Sequence, residues 1–548
     1  MSGLKILRGS AGFDDFAKIV RLTPVEKTTR AALLQRSFMP FQVPESYART
    51  IASLPEPSRT QMLNIVLPPE GERFFTGRFD PYGNKLCRQE DHAFLQHKYE
   101  NTLLFHVDDF CIGNCQFCFK VNEIRTEITS NLDLNRKMRI TLEYLTTNPG
   151  INNVLATGGD PVAFRNTRDL IKLIDPLISH PNIRVVRLAT KGLAYAPERF
   201  EDGELLQYLK EVNRRPGKQI TVIAQMNHPA EFTESAKSAI RALQEAGVQI
   251  RGQPAIVKGV NDSVETLIEL QRAFVDNQIV SYYLTVFMPV KGVEQYGLPL
   301  DCIFRNVAES KRHLSGLEKK GILLASHDFG KLEICGFYPS PERPEKIILK
   351  WHQIEMEPYL PKSLKDRVPT RPEDLMILDY RKGEMYCIDH VFKANKLPYF
   401  DSAGNLVEPE PEGHISGNTQ NMQPERTIRQ YLNALESGSY RTMIQLFSSD
   451  AIVHSPLYGD VNANEYYSGL FNDTTSSKIS FLNIFTSQNP SRAAGHFRYD
   501  WTLKNGGKIS FQCVDVFQFD ETGKIKDLTI IYDTAPIRSS FQEMKQRD

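Results

Sequence analysis

The sequence lacks an excess of charge of either sign and lacks long apolar runs. Lys plus Arg number 66 and Asp plus Glu number 66 among 548 residues, so the formal net charge is +0. No global field is therefore present to recruit nucleic acid or an anionic membrane. Nowhere do eighteen apolar residues run together, and the first twenty residues contain no continuous apolar segment typical of a secretory signal. We expect a soluble, cytoplasmic protein that binds neither nucleic acid nor membrane.

Cysteine is also scarce. Eight cysteines in 548 residues are too few for a disulfide scaffold. Five of them stand alone: Cys87, Cys302, Cys335, Cys387 and Cys513. The overall composition, 41% hydrophobic and 24% charged, is ordinary for a globular protein, and the length predicts several domains.

Alternating short β-branched runs and amphipathic segments fill the region from Thr102 to Phe287. Strands are predicted to begin at Thr102, Asn152, Ile183, Gln219, Val248 and Val280. Helices are predicted at Asn135–Thr147, Thr167–Leu177, Glu234–Ala246 and Val264–Asp276. Six β-then-α repeats predict right-handed crossovers and a parallel sheet that is closed or partly closed as a barrel.

The rest of the chain divides around this region. Residues 1–95 are predicted to form a helical extension, with helices at Val25–Gln35 and Pro44–Ser53, and residues 96–350 to form the barrel. Residues 351–400 would be an extension of the barrel, and residues 401–424, rich in Gly, Pro, Glu and Asn, a linker. Residues 425–548 predict a helix followed by an antiparallel sheet.

Three cysteines, Cys111, Cys115 and Cys118, have the spacing C-x3-C-x2-C in FCIGNCQFCF. They follow the first predicted barrel strand, at the end of a parallel barrel where active sites gather. Three thiolates can hold three irons of a four-iron cluster and leave the fourth iron open to a ligand. A structural zinc ion is the alternative, but a closed zinc site needs four ligands and no second CxxC pair lies at zinc-ribbon spacing.

This triad, in this position, resembles the signature of the radical S-adenosylmethionine superfamily. The resemblance implies that Cys111, Cys115 and Cys118 bind a [4Fe-4S] cluster whose open iron binds S-adenosylmethionine. Reductive cleavage would then generate a 5′-deoxyadenosyl radical, with an electron donor such as flavodoxin or ferredoxin as partner. Gly158, Gly159 and Asp160, in ATGGDP after the second strand, match the segment that family members use against the methionine amino group.

Further segments resemble the lysine 2,3-aminomutase family, over about Pro40 to Ile334. They are HKYENTLLF, QMNHPAEFTE, GQPAIVKGVND and YYLTVFMPVKGVEQY. The resemblance implies pyridoxal 5′-phosphate held as an imine on Lys331, in SHDFGKLEIC. It places cofactor-pocket residues at Lys98, Tyr99, Asn227, His228 and Gln253.

The chain departs from this family at substrate positions. Lys120 replaces an arginine that binds the substrate carboxylate in the family. The change replaces a guanidinium, which can make two parallel hydrogen bonds to a carboxylate, by an ammonium that acts as a point charge. Met288 replaces an acidic residue that receives a terminal ammonium, and Lys291 lies nearby in sequence. The structural zinc cysteines of the family are absent, since Ser263 follows GVND. We therefore expect an amino-acid-like substrate other than free lysine.

From about Pro424 the sequence resembles the SnoaL-like branch of the ketosteroid-isomerase-like cone fold. The resemblance implies an α+β domain with a pocket that these residues could line: His454, Tyr458, His496, Asp515 and Tyr532. Members of this fold can be enzymes, binding modules or dimerisation units, so the fold alone does not choose among these roles.

The expected fold class is α/β: a partial (β/α)6 radical S-adenosylmethionine barrel with a helical N-terminal extension, plus a C-terminal SnoaL-like α+β cone. The leading hypothesis is an isomerase that carries out a pyridoxal-assisted 2,3-amino migration. Two alternatives stay open. One is a radical rearrangement, epimerisation or oxidation without pyridoxal phosphate, and the other is a metal-binding scaffold with a dimerising C-terminal domain. A homodimer is compatible with each of them.

Overall fold

The computed structural model describes residues 4–71, 77–79, 88–89, 92–122, 133–163, 166–288, 290–338, 345–354, 360–371, 373–409, 423–486 and 491–534. The chain forms two compact units, residues 1–411 and 412–548, each of mixed α/β structure. Across the described ranges, no helix combines the length and the apolar character needed to cross a bilayer.

The N-terminal segment is helical, as its sequence predicts. Strands β1 (Ile6–Arg8) and β2 (Gln42–Pro44) pair antiparallel. The helices are α1 (Gly9–Ile19), α2 (Pro24–Gln35), α3 (Glu45–Ser53) and α4 (Ser58–Val66). Helix α2 begins in a capping box, in which Thr23 and Glu26 each bond the backbone N–H of the other.

A large sheet follows, with spatial order β11-β9-β8-β7-β6-β5-β4-β3. Its strands are β3 (Arg88–Gln89), β4 (His92–Tyr99), β5 (Thr102–Asp108), β6 (Asn153–Gly158), β7 (Val185–Thr190), β8 (Gln219–Ala224), β9 (Gln249–Gly252) and β11 (Val280–Ser281). From β5 to β11 every pairing is parallel. The connecting helices are α5 (Leu134–Thr147), α6 (Thr167–Ser179), α7 (Gly192–Tyr195), α8 (Gly203–Asn213), α9 (Glu234–Glu245) and α10 (Val264–Asp276).

A second sheet continues the first with order β10-β12-β13-β14-β15-β16. Its strands are β10 (Ala255–Ile256), β12 (Tyr283–Val286), β13 (Ile322–His327), β14 (Gly330–Tyr338), β15 (Glu345–Ile354) and β16 (Leu375–Tyr380). Only Gln253 and Pro254 separate β9 from β10, and only Tyr282 separates β11 from β12. The parallel strands therefore pass from one sheet into the other. Strands β13 to β16 and helix α11 (Leu300–Arg312) were not predicted from the sequence.

The strands of the first sheet bury both faces. In β7, Val186 and Leu188 are fully buried in an apolar core with the surrounding helices, whereas Arg187 and Ala189 face a cavity on the other side. Successive side chains of a strand point to opposite faces, so one strand packs the helices and lines the cavity at once.

The first unit ends in small elements. They are α12 (Lys362–Lys365), α13 (Ile388–Ala394), β17 (Tyr399–Phe400) and β18 (Leu406–Val407). Strands β17 and β18 pair antiparallel, so the first residues of the predicted 401–424 linker form a hairpin instead. The later part of that linker, residues 410–422, lies outside the described residues.

The second unit is a six-stranded sheet with three helices. The helices are α14 (Gln423–Ser437), α15 (Tyr440–Gln445) and α16 (Ala463–Asn472). The strands are β19 (Phe447–Ser455), β20 (Gly459–Asn462), β21 (Thr474–Thr486), β22 (Arg492–Leu503), β23 (Lys508–Phe519) and β24 (Ile525–Ile531), in the order β20-β19-β24-β23-β22-β21. Strands β19 and β24 pair parallel, so the predicted all-antiparallel sheet is wrong at this pair. The sequence prediction lacked β19 and so lacked this pairing.

Candidate functional site

One cavity of about 490 Å³ is lined by residues of both sheets in the first unit. This size is ordinary for a small-molecule site. It brings together these residues singled out from the sequence: Lys98, Tyr99, Cys111, Cys115, Cys118, Lys120, Gly158, Gly159, Asp160, Asn227, Gln253, Met288 and Lys331. Residues more than 200 positions apart in the chain therefore share one cavity.

The cysteine loop is held in place by the N-terminal segment. Gln42 in β2 donates from Nε2 to the carbonyl oxygens of Cys111 and Ile112. The backbone carbonyl oxygen of Gln42 accepts a hydrogen bond from the Asn114 N–H at 2.8 Å. The Gln116 N–H donates to the Ile65 carbonyl at 2.8 Å. The helical extension thus satisfies the backbone of the loop, which has little regular structure of its own.

Cys111, Cys115 and Cys118 stand on one loop and are not joined in disulfides. Three thiolates could bind three irons of a cluster and leave the fourth iron open to a ligand. A closed structural zinc site would need a fourth ligand. Among the described residues, ligand atoms of His327, Asp328 and Asp389 lie within 4.8 Å of one another.

Cys115 contacts a buried tyrosine. Its Sγ is 3.3 Å from the hydroxyl of Tyr195, a residue of α7 that is 1% exposed. Burial raises the pKa of the Cys115 thiol, and the Lys191 ammonium and the Tyr195 hydroxyl act in the opposite direction. Burial also raises the pKa of Cys111 well above its ordinary value, with the Asp160 carboxylate adding to the effect. A bound cation would be needed to hold these buried groups as thiolates.

Gly158 and Gly159 bring the end of β6 against the start of the cysteine loop. A side chain at Gly158 would collide with the Asp108 carbonyl, and one at Gly159 with the backbone of Phe110. The Asp160 N–H donates to the Phe110 carbonyl at 2.8 Å. These glycines therefore make room for the chain's own backbone, in addition to lining the cavity.

The Asp160 carboxylate organises the neighbouring strand end. It accepts hydrogen bonds from the Thr190 hydroxyl at 2.6 Å and from the Val162 and Lys191 N–H groups at 3.0 Å each. Burial raises its pKa, and these donors oppose the rise. These donors fix the orientation of the carboxylate beside the cysteine loop.

Lys331 lies on β14 and lines the same cavity. Its Nζ is 5.4 Å from the ring centres of both Tyr99 and Tyr283 and donates to Gln353 Oε1 at 3.4 Å. Burial, together with the positive charges of Arg187 and Lys98, lowers its pKa to about 7. Lys331 therefore presents an amine that is substantially neutral at neutral pH.

A buried ion-pair network fixes the β13–β14 turn that precedes Lys331. The Arg78 guanidinium contacts Asp328 at 2.5 Å and Asp389 at 3.4 Å. The Phe329 N–H donates to His327 Nδ1, so His327 carries its proton on Nε2 and donates it to Asp389 at 3.1 Å. With Arg78 between the two carboxylates, this cluster is a structural ion pair rather than a metal site.

Two sequence-predicted site residues lie outside the cavity lining. His228 is 1% exposed, accepts from the Ala230 N–H on Nδ1 and donates from Nε2 to Gln61 Oε1 at 2.9 Å. Burial lowers its pKa to about 4, so it is a neutral structural cap rather than a cofactor ligand. Lys291 instead stacks on Phe79, with Nζ 4.6 Å from the ring centre.

The five residues proposed to line one pocket of the C-terminal unit divide between different environments. Asp515 is fully buried and accepts from Tyr431 at 2.6 Å. His496 lies on the opposite face of the sheet from the buried residues of β22 and contacts Gln512. His454 bridges Asp460 and Asp527 at the surface. Tyr458 bonds Asp473 at 2.7 Å, and Tyr532 stacks near Phe511.

Arg187, Lys191 and Gln353 are among the cavity residues that sequence reasoning missed. Arg187 is the middle of the apolar run VVRLAT, and a lone charge inside a buried strand is a signal that could have been read. Gln353 and Lys191 carry no such signal, because their place depends on contacts distant in sequence.

Relatives named as L-lysine 2,3-aminomutases match about half of the chain. A protein of Aquifex aeolicus assigned to this activity is 33% identical over 290 residues, which are 53% of this chain and 75% of that protein. The Escherichia coli enzyme is 29% identical over 38% of this chain and 59% of its own length. The Fusobacterium nucleatum enzyme is 24% identical over 56% of this chain and 70% of its own length.

The chain belongs to the lysine 2,3-aminomutase family. A family model for the SnoaL-like domain additionally matches residues 428–528. Among solved structures, the hydroxylase-like AclR of Streptomyces galilaeus is 13% identical and covers 22% of this chain and 98% of its own, with a TM-score of 0.20.

Lys120 and Met288, two positions at which the sequence predicts departures from the family, line the cavity. Lys120 is 6% exposed and donates to Thr157 Oγ1 at 3.2 Å, and Met288 is equally buried. Ser263 is the N-cap of α10 rather than a metal-ligand position. The basic side chains that line the cavity are Lys98, Lys120, Arg187, Lys191 and Lys331, and the carboxylate among the described lining residues is Asp160.

Proposed function

We propose that the protein is a radical S-adenosylmethionine isomerase that moves an amino group between neighbouring carbons of an amino-acid-like substrate with pyridoxal phosphate. The observation that carries the proposal is the shared cavity, which joins the cysteine loop to the buried amine of Lys331. In this proposal the curved run of parallel strands is the partial barrel of that superfamily. The bound cluster and S-adenosylmethionine would supply a hydrogen-abstracting radical, and pyridoxal phosphate would carry the amino group.

The cysteine loop supplies the cluster ligands in this proposal. Cys111, Cys115 and Cys118 lie on one loop, are not joined in disulfides and line the same cavity. Three ligands leave one position of a four-metal cluster for an external molecule. Asp160 and the backbone of Gly158 and Gly159 line the same cavity and would be available to a molecule bound at that position.

Lys331 would hold the aldehyde of pyridoxal phosphate through Nζ. Its lowered pKa provides the neutral amine that attacks a carbonyl. Arg187 and Lys98 place positive charge close enough to lower that pKa, and they also suit the phosphate of the same cofactor. The Tyr99 and Tyr283 rings enclose Nζ and limit the access of water.

The charge of the cavity favours a substrate without a second amino group. An ammonium buried without an anionic partner costs several kcal/mol, on the order of a thousandfold in binding. Met288 provides no such partner, and the Asp160 oxygens already accept three hydrogen bonds. Lys120 would bind the substrate carboxylate, and an acidic or uncharged side chain would fit beside Met288.

Anaerobic reconstitution of the full chain tests the proposal. We expect iron and sulfide in cluster stoichiometry, release of 5′-deoxyadenosine, and a borohydride-trapped pyridoxyl group on Lys331 that mass spectrometry locates. Lys331→Ala should lose the adduct and keep the cluster, whereas Lys291→Ala, outside the cavity lining, should keep both. A zinc-only protein would overturn the radical chemistry, and absence of the Lys331 adduct would overturn the pyridoxal step.

Competition among amino acids tests the substrate class. We expect acidic and uncharged amino acids to yield more rearranged product than L-lysine under reducing, oxygen-free conditions. Efficient formation of β-lysine from free lysine would contradict the role given to Met288.

A further inference from the structure

The hydroxyl of Tyr195 is directed at one particular sulfur of the cysteine triad. The distance from its oxygen to Cys115 Sγ is 3.3 Å, and Tyr195 is buried behind this cavity-lining cysteine. A thiolate bound to iron has no proton to give. In a loaded site, Tyr195 is therefore the donor and Cys115 the acceptor of this bond.

The ring of Tyr195 is closely packed in this position. The ring of Tyr47 meets it edge to face, with centroids 4.8 Å apart and planes at 78°. A side chain at Gly113, inside the cysteine loop, would come within 2.9 Å of the Tyr195 ring. The loop therefore carries a glycine at the point where the ring packs against it.

A charged network lies behind the same hydroxyl. Lys191 Nζ is 5.4 Å from the Tyr195 ring centre and 2.5 Å from Glu231, which also accepts from Tyr47 at 2.6 Å. These buried partners hold the Tyr195 ring in place, and its hydroxyl stays within hydrogen-bond distance of Cys115 Sγ. Hydrogen bonds to cluster sulfurs are one of the means by which a protein sets cluster potentials.

We propose that Tyr195 raises the reduction potential of the cluster by donating a hydrogen bond to the Cys115 thiolate, an inference that rests on the proposed function. Reduction adds negative charge to the cluster and its sulfurs. A hydrogen bond to sulfur is stronger in the reduced state, so it favours uptake of the electron. Tyr195 is a positioning residue in this sense, because it acts on the cluster through its ligand.

Tyr195→Phe is the decisive variant, because it removes the hydroxyl and keeps the ring. Tyr296→Phe is its matched control, since Tyr296 is also fully buried near Cys115 but donates to the Asn64 carbonyl at 2.9 Å. The full chain is reconstituted anaerobically, iron and sulfide are quantified, and the cluster is titrated by electron paramagnetic resonance without S-adenosylmethionine. We expect about a tenfold loss in the one-electron reduction constant for Tyr195→Phe, about 59 mV, and no shift for Tyr296→Phe.

A second replacement keeps the test decisive if the Phe variant does not retain its cluster. Tyr195→3-fluorotyrosine strengthens the donor and should shift the midpoint to a more positive value. Unchanged potentials in the Tyr195 variants, or equal shifts in the Tyr296 control, would overturn the inference. A parent protein that assembles no cluster would instead overturn the proposed function, so the two failures are distinguishable.

Discussion

The amine of Lys331 should react with aldehydes at neutral pH far more readily than an ordinary lysine. Its pKa is lowered to about 7, so half of the side chain is neutral at pH 7. A lysine of ordinary pKa, about 10.4, is neutral in roughly one molecule in 2,500 at that pH. The reactive fraction at Lys331 is thus about a thousandfold larger.

A single replacement at Gln353 should reverse this property. Gln353 Oε1 accepts from Lys331 Nζ at 3.4 Å, so Gln353→Glu would place a carboxylate at that distance with little change of shape. At an effective dielectric constant of about 20, two unit charges at this separation interact by about 5 kcal/mol, equivalent to more than three pH units. The pKa of Lys331 should then return to about 10.

The assay is pyridoxal phosphate labelling of the full chain between pH 5.5 and 9.5, with borohydride reduction and peptide mass spectrometry. We expect labelling of Lys331 to rise with a midpoint near pH 7 in the parent and to fall by about a thousandfold at pH 7 in Gln353→Glu. Gln353→Leu, which adds no charge, should leave the midpoint within a pH unit of the parent. A parent midpoint near 10, or an unchanged midpoint in Gln353→Glu, would refute the electrostatic account of Lys331.

Three further predictions concern the cysteines, the ion-pair network and the C-terminal unit. Cys118→Ala should abolish cluster assembly, measured as iron and sulfide content, whereas Cys335→Ala, at an exposed thiol, should not. Arg78→Ala should destabilise the first unit by about 3–5 kcal/mol in denaturant titration, because it leaves the carboxylates of Asp328 and Asp389 buried without their cation. Burial raises the pKa of Asp515 to about 6 from 3.8, so its contribution to stability is present below pH 4 and lost as pH rises through 6. Asp515→Asn should therefore slow amide exchange in residues 428–528 at pH 8, because it raises the free energy of unfolding of this unit by up to about 3 kcal/mol. At pH 3.5 the replacement should have no such effect.

The sequence pattern located the parallel strands well because their chemistry is local. The predicted helix Asn135–Thr147 is observed as Leu134–Thr147, and the predicted strand beginning at Gln219 is observed as Gln219–Ala224. Runs of β-branched residues and 3.6-residue periodicity are properties of neighbouring residues. Strands β14 and β15 were missed, because Lys and Glu interrupt their apolar pattern on the half-buried face.

The cavity was predictable only in part for a related reason. The spacing of the three cysteines by itself indicates a cluster site, and the family resemblance indicated Lys331. By contrast, the lowered pKa of Lys331 depends on Arg187, which is 144 positions away in sequence, and on Lys98. His228 shows the converse, since its NHP context suggested a cofactor contact whereas its two ring nitrogens are used to cap a turn and to bond Gln61. Local sequence does not show which partner a buried polar side chain meets.

One electrostatic property connects the two halves of the cavity. Positive charge from Lys191 favours the thiolate of Cys115, and positive charge from Arg187 and Lys98 disfavours the ammonium of Lys331. Both effects are amplified by burial, since a low local dielectric strengthens every charge interaction. With a cluster bound, such a cavity would hold anionic sulfur and a neutral amine together. In the proposed reaction the same field would oppose a second ammonium on the substrate, so the groups proposed to favour the chemistry would also select against a diamino acid.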